Sequence, residues 1–137
     1  MSLDNQHFDN AYSTLLNLVD NTQTFAGILS LDGVLLFANA APLKALGLEP
    51  CDVEGKKFWD CPWWKGNLQA QANIKNDYEA ALDGTVINRE IQFQGGDGLY
   101  WTEYNTVPVF NDAGEITNLV VEGRSIEQRK QAELGLA

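Results

Sequence analysis

The sequence predicts an α+β domain: one five-stranded antiparallel sheet with helices gathered on one face, preceded by an amphipathic helix. Three observations carry that prediction. Asp32-Gly33 lies between two short apolar runs, Ile28-Leu29 and residues 34–37, which is the pattern of a tight hairpin whose turn needs positive φ. Toward the C-terminus, three further strand-like stretches are separated by Gly95-Gly96-Asp97-Gly98 and Asn111-Asp112-Ala113-Gly114, both turn sequences. Between the two groups of strands the apolar residues switch to helical spacing. Strands close in sequence pair as antiparallel neighbours, so strands one and two, and strands three to five, assemble into one sheet.

Composition narrows the function classes. A chain of 137 residues is large enough for one real core and not for two. Hydrophobic content of 45% against 20% charged residues is that of a globular domain. No apolar run approaches the ~20 residues of a spanning helix, and no charged-then-apolar leader is present. The expectation is a cytoplasmic domain with no membrane contact by this segment. Nineteen acidic against nine basic residues give a net charge of −10, which repels phosphate backbones and sets nucleic-acid binding aside. Cys51 and Cys61 are expected as reduced thiols. His7 is the only histidine, so a Cys/His metal cluster is short of ligands.

Taken in order, residues 4–20 carry Phe8, Tyr12, Leu15, Leu16 and Val19 at spacings of four, three, one and three, an amphipathic helix with one apolar stripe. Residues 24–30 form a strand and residues 34–38 its hairpin partner. Asn39 then occupies an N-cap position, its side-chain carbonyl placed to accept a first-turn N–H of a short helix over 40–46. Gly47 follows as a C′ glycine. Pro50 suits a first helical position, so residues 50–55 make a tight turn or one helical turn. Residues 65–82 make a longer helix, with Leu68, Ala72, Ile74, Tyr78, Ala81 and Leu82 at helical spacing, ended by Asp83-Gly84. Strands are expected over 85–94, 100–110 and 116–124, and a charged helical stretch over 125–134. The division is a flanking helix over 1–20, a sheet domain over 21–126, and the start of a C-terminal linker helix over 127–137.

Asp32-Gly33, Asn39, Gly47, Val53-Glu54-Gly55-Lys56, Asp97-Gly98 and Arg124-Ser125-Ile126-Glu127-Gln128-Arg129-Lys130 come in an order and spacing that resembles a PAS domain over residues 20–130. The resemblance implies a sensory module. It implies a cup that takes a small-molecule ligand or cofactor, and flanking helices that relay its occupancy to a covalently linked effector. A sensor histidine kinase is the first expectation for the parent protein and a diguanylate cyclase the second. The alternative is a ligand-free interaction and dimerisation module. Phe8, Tyr12, Leu15 and Val19 would supply a homodimer interface. In many relatives strand five ends in Asp-Ile-Thr. Here Ser125 replaces the Asp and Glu127 the Thr, so an anchoring salt bridge from that Asp is lost. Ser125, Glu127 and Arg129 are the relay candidates.

The cup is expected to be lined by Phe37 and Asn39 after the hairpin, Phe58, Trp59, Trp63 and Trp64 in the aromatic segment, and Tyr78 on the longer helix. The aromatic rings either stack on a planar ligand or plug the core, and packing is the commoner role of such residues. Counting by two along residues 100–110, the family pattern turns Thr102, Tyr104 and Thr106 inward, where buried hydroxyls need partners. Arg89 shares a strand face with Ile91; turned inward it would hold a carboxylate bidentately, and otherwise it is a solvated strand end. Light-sensing relatives use a cysteine beside a flavin within Asn-Cys-Arg-Phe-Leu-Gln. Asp60-Cys61-Pro62 lacks that pattern, so covalent flavin is disfavoured and Cys61 reads as a buried inert thiol. Haem is disfavoured because His7 precedes the core; the cofactor is otherwise unspecified. With one imidazole no Ser/His/Asp or Cys/His arrangement can be built, and Gly95-Gly96-Asp97-Gly98 lacks the ending of a phosphate loop. Catalysis within this chain is not expected.

Overall fold

The structure, a computed structural model, describes residues 24–95 and 98–135. The expected N-terminal helix, with Phe8, Tyr12, Leu15 and Val19, lies outside the described residues. In chain order the elements are β1 (Phe25–Leu29), β2 (Leu35–Ala38), α1 (Ala40–Leu46), 3-10 turns at Pro50–Asp52, Phe58–Asp60 and Pro62–Trp64, α2 (Leu68–Leu82), β3 (Ile87–Gly95), β4 (Gly98–Phe110), β5 (Ile116–Ser125) and α3 (Glu127–Glu133). The strands form one antiparallel sheet in the order β2-β1-β5-β4-β3. The long connection between β2 and β3 places β1 and β5 side by side at the centre, joining the two strand groups.

The first hairpin closes as its residues dictate. Ser30 N–H donates to the Val34 carbonyl at 2.9 Å, and Gly33 N–H returns to the Ser30 carbonyl at 3.0 Å. The Ser30 hydroxyl accepts from the N–H groups of Asp32 and Val34. Gly33 has φ +81°, a conformation that costs an L side chain about 1–2 kcal/mol. It also lies under the Trp59 ring: a Cβ there would stand 2.5 Å from Trp59 Cη2. Past the hairpin, Gly47 ends α1 in the left-handed conformation, with Leu48 N–H reaching the Leu43 carbonyl at 2.8 Å.

Three sequence expectations are corrected. Asn39 stands at the N-cap position of α1 but makes no side-chain cap. Instead Asn39 Oδ1 accepts from Ala26 N–H at 2.8 Å and Nδ2 donates to the Thr24 carbonyl at 2.7 Å, so a fully buried amide staples the helix entrance to β1. Phe37 does not face the cup. Leu29 pairs with Leu35 but Ile28 pairs with Phe37, so Leu36 is an extra residue that shifts the strand's phase. Phe37 thereby shares the outer face with Ile28. The third correction concerns α2, whose side chain cap from Asn67 to Ala70 N–H starts it at Leu68. Its buried stripe is Ala70, Ile74, Asp77 and Ala81, whereas Leu68 is 81% exposed and Ala72 is exposed.

The core lies between the inner sheet face and the layer made by α1, the 3-10 turns and α2. Leu29, Leu35, Val53, Ile74 and Leu119 are almost wholly enclosed there.

Candidate functional site

The inner faces of β1, β5 and β4 and the aromatic 3-10 segments enclose a cavity of about 40 Å³. Among the residues expected at the cup, Phe58, Trp63, Trp64, Thr102 and Tyr104 line it. All five are buried. The Phe58 ring meets Trp64 edge-on at 5.7 Å between centroids and stacks on Tyr104 at 6.4 Å. Trp64 and Tyr104 approach at 6.3 Å. Trp63 Nε1 donates to the Pro42 carbonyl at 2.9 Å, tying the aromatic segment to α1. Such tilted and offset contacts fill space with favourable ring geometry. The cavity is the remainder. It exceeds the ~10–15 Å³ that one water needs and falls well short of the ~300–1,000 Å³ of small-molecule pockets.

Among the lining residues that sequence reasoning missed are Gly27 and Gly123. A Cβ at Gly123 would stand 2.9 Å from Thr102 Cγ2, and one at Gly27 would stand 3.2 Å from Leu35 Cδ1 and from Val121 Cγ2. Neighbouring side chains therefore close over these two backbones, which form part of the wall. A glycine inside a strand marks such a close approach, and that signal was available in the sequence.

The remaining candidates serve elsewhere. Trp59 and Tyr78 pack on each other at 5.1 Å, and the Tyr78 hydroxyl donates to the Leu31 carbonyl at 2.6 Å. Trp59 from the 3-10 turn Phe58–Asp60 and Tyr78 from α2 together clamp the hairpin turn, with Lys57 and Lys75 over the Trp59 ring. Ile91 is buried in the core. Arg89 faces inward, but its guanidinium is already held: Nε and Nη2 donate to the two Asp77 carboxylate oxygens at 2.8 and 2.7 Å. Asp77 is 3% exposed, so the bidentate pair joins α2 to β3 and occupies the fork expected for a carboxylate ligand. Its hydrogen bonds to Asp77 raise the Arg89 pKa. Thr106 is fully buried and its hydroxyl finds no partner of hydrogen-bonding geometry. Burial pushes the neighbouring Tyr104 phenol well up, against a smaller downward pull from Thr106. Cys61 is buried, its thiol raised to about 12 by burial, which leaves it protonated and unreactive at neutral pH. Cys51 is exposed.

The C-terminal end holds the relay candidates together. Ile126 is buried, and its N–H donates to the Trp101 carbonyl at 2.9 Å. The Trp101 N–H donates in turn to the Glu127 carboxylate at 2.7 Å. That bond, with a second from the Gln131 amide, lowers the Glu127 pKa. The Ser125 hydroxyl accepts from Glu127 N–H at 3.3 Å. Glu90 of β3 pairs with Arg129 and stands 2.6 Å from Lys130 Nζ, which sits 4.8 Å above the Trp101 ring. Glu127, two residues after Ser125, thus ties the start of α3 to β4 by a hydrogen bond, not by a salt bridge.

A family model described as PAS fold matches residues 19–131. The chain belongs to the PAS family. Hybrid signal transduction histidine kinase D of Dictyostelium discoideum is 29% identical over 120 residues, covering 85% of this chain. Sensor histidine kinase TmoS of Ectopseudomonas mendocina is 31% identical over 123 residues, covering 88%. The matched regions span 8% and 13% of those two proteins. The PAS domain of an HTR-like protein from Haloarcula marismortui has the same fold, with a TM-score of 0.70, 16% identity, and coverage of 92% of this chain and 100% of that one. This PAS domain therefore has the five-stranded antiparallel sheet of its family and relatives among sensor histidine kinases.

Proposed function

We propose that this PAS domain is the sensory and relay module of a larger signalling protein, of which a sensor histidine kinase is the first expectation. Its relatives support that parentage. One observation carries the relay: Thr102 lines the cavity, and the next residue on the opposite face, Trp101, holds the helix that leaves the domain through both its N–H and its carbonyl. A change in what Thr102 packs against is felt one peptide away by the contacts that set the angle of α3. A ligand acts on that angle only through its different affinity for the two arrangements.

Glu127→Ala, which removes the side-chain acceptor of the Trp101 N–H, tests the relay. Amide exchange across residues 127–133 is expected to quicken severalfold while β1 and β5 keep their protection. Unchanged exchange there would end the reading. The small cavity favours a second reading, in which the cup is filled by its own aromatic residues and the domain works by protein contacts. A thermal-shift screen separates the two: a ligand sensor gains melting temperature with one chemical class by mass action, and the self-filled module gains with none.

A further inference from the structure

Leu35, Ala38, Pro42 and Val121 complete the cavity wall with aliphatic carbon beside the aromatic rings. Thr102 meets the opposite wall through its methyl. Its Cγ2 lies nearest to where a Gly123 Cβ would stand, whereas Oγ1 turns back to the Tyr100 carbonyl at 3.4 Å. Trp63 Nε1 points at the Pro42 carbonyl. Glu122, the acidic residue in the lining, alternates with buried Val121 and Gly123 and is exposed, so its carboxylate lies on the far side of the sheet. Among the described residues no basic side chain lines the cavity. The volume of about 40 Å³ would take about three waters, each needing about two to four polar partners. A wall of this composition serves them poorly, and apolar cavities stay dry and take up apolar molecules.

From this we infer that the cup binds an uncharged apolar molecule no larger than a short alkane of about three or four carbons, held by dispersion contacts. The inference rests on the sensory reading above and gives its ligand a chemical class. Atoms that line an empty space lack neighbours on one side, and an occupant of this kind restores those contacts. A charged molecule would enter without a counter-charge, because Arg89 is held by Asp77. Ring-sized molecules are kept out by the packed rings of Phe58, Trp64 and Tyr104.

Methyl NMR of the unaltered protein tests the class, with propane under pressure and acetamide titrated separately. The two probes are close in size and opposite in polarity. Propane is expected to shift the methyl resonances of Leu35, Val121 and Thr102 saturably, and acetamide to leave them in place. Ala38→Leu, which puts a larger side chain into the same space, should weaken the propane response about tenfold. The unaltered protein decides the matter should Ala38→Leu fail to fold. Shifts with acetamide and none with propane would overturn the apolar class while the sensory reading stood. No response to either probe would also overturn it. Propane bound with the Trp101 and Glu127 amide resonances unmoved would uphold the class and count against the relay instead.

Discussion

Asp77 and Arg89 set the residue scale of this protein. A carboxylate placed on the buried stripe of α2 is stable only because β3 brings a guanidinium to it in fork geometry. Removing the cation strands the anion. Arg89→Ala is expected to cost about 3 kcal/mol in urea unfolding, the lower end of the range for breaking a buried pair, because the Arg89 side chain is 35% exposed. Asp77→Ala combined with Arg89→Ala should recover part of that loss. A double variant no more stable than Arg89→Ala would show that the cost came from packing and not from an orphaned charge. The sequence concealed this pair. Helical spacing identified the right helix, yet charged residues are read as outward-facing, so Leu68 and Ala72 were placed in the stripe that Asp77 and Ala70 occupy. Nothing local to α2 announces a partner twelve residues away on a strand.

At the scale of elements, the docking of α3 depends on charge. The Trp101 N–H lowers the pKa of Glu127, and Lys130 with Arg129 lowers that of Glu90. Groups with lowered values stabilise the folded arrangement above their ordinary pKa of 4.5 and lose that contribution as pH falls through the folded value. Lys130 is raised, so its contribution holds below its ordinary 10.5 and fades as pH rises past it. Docking should therefore be level between about 4.5 and 10.5 and weaken on either side. The backbone amide resonance of Trp101, followed by NMR from pH 7 to 3, is expected to shift below pH 4.5, and Glu127→Gln should abolish that shift. A titration that persists in the variant would assign it to another carboxylate. The motif alone left the anchor open: Ser125 lost the family's acidic residue, while the hydrogen-bonded tie through Glu127 became legible only once Trp101 stood opposite it.

For the whole molecule, the decisive quantity is how much of the cup its own side chains fill. Phe58, Trp63, Trp64 and Tyr104 leave about 40 Å³. Trp64→Ala should enlarge the cavity and cost about 3–5 kcal/mol. Added indole should then raise the melting temperature of the variant by mass action, with little effect on the unaltered protein. Equal gains in both would mean that the unaltered cup already opens to molecules of that size. The aromatic segment was legible from its composition and the shared face of Thr102, Tyr104 and Thr106 from strand alternation, while their inward turn followed from the family resemblance. The amount of space left over was not legible, because it is a small difference between the volume enclosed by a curved sheet and the volume of the residues that fill it.

By itself the sequence pointed to the family through the order and spacing of its motifs, and it determined the kinds and order of the strands and longer helices among the described residues, the Asp32-Gly33 turn and the end of α1 at Gly47. These follow from backbone preferences and periodicities acting over a few residues, which need no distant partner. Only the tertiary structure decided that β1 lies beside β5, that one extra residue at Leu36 turns Phe37 outward, that Asn39 staples β1 instead of capping α1, and that Arg89 is already occupied. Each depends on atoms from segments far apart in the chain, and their meeting is settled by how the whole core packs.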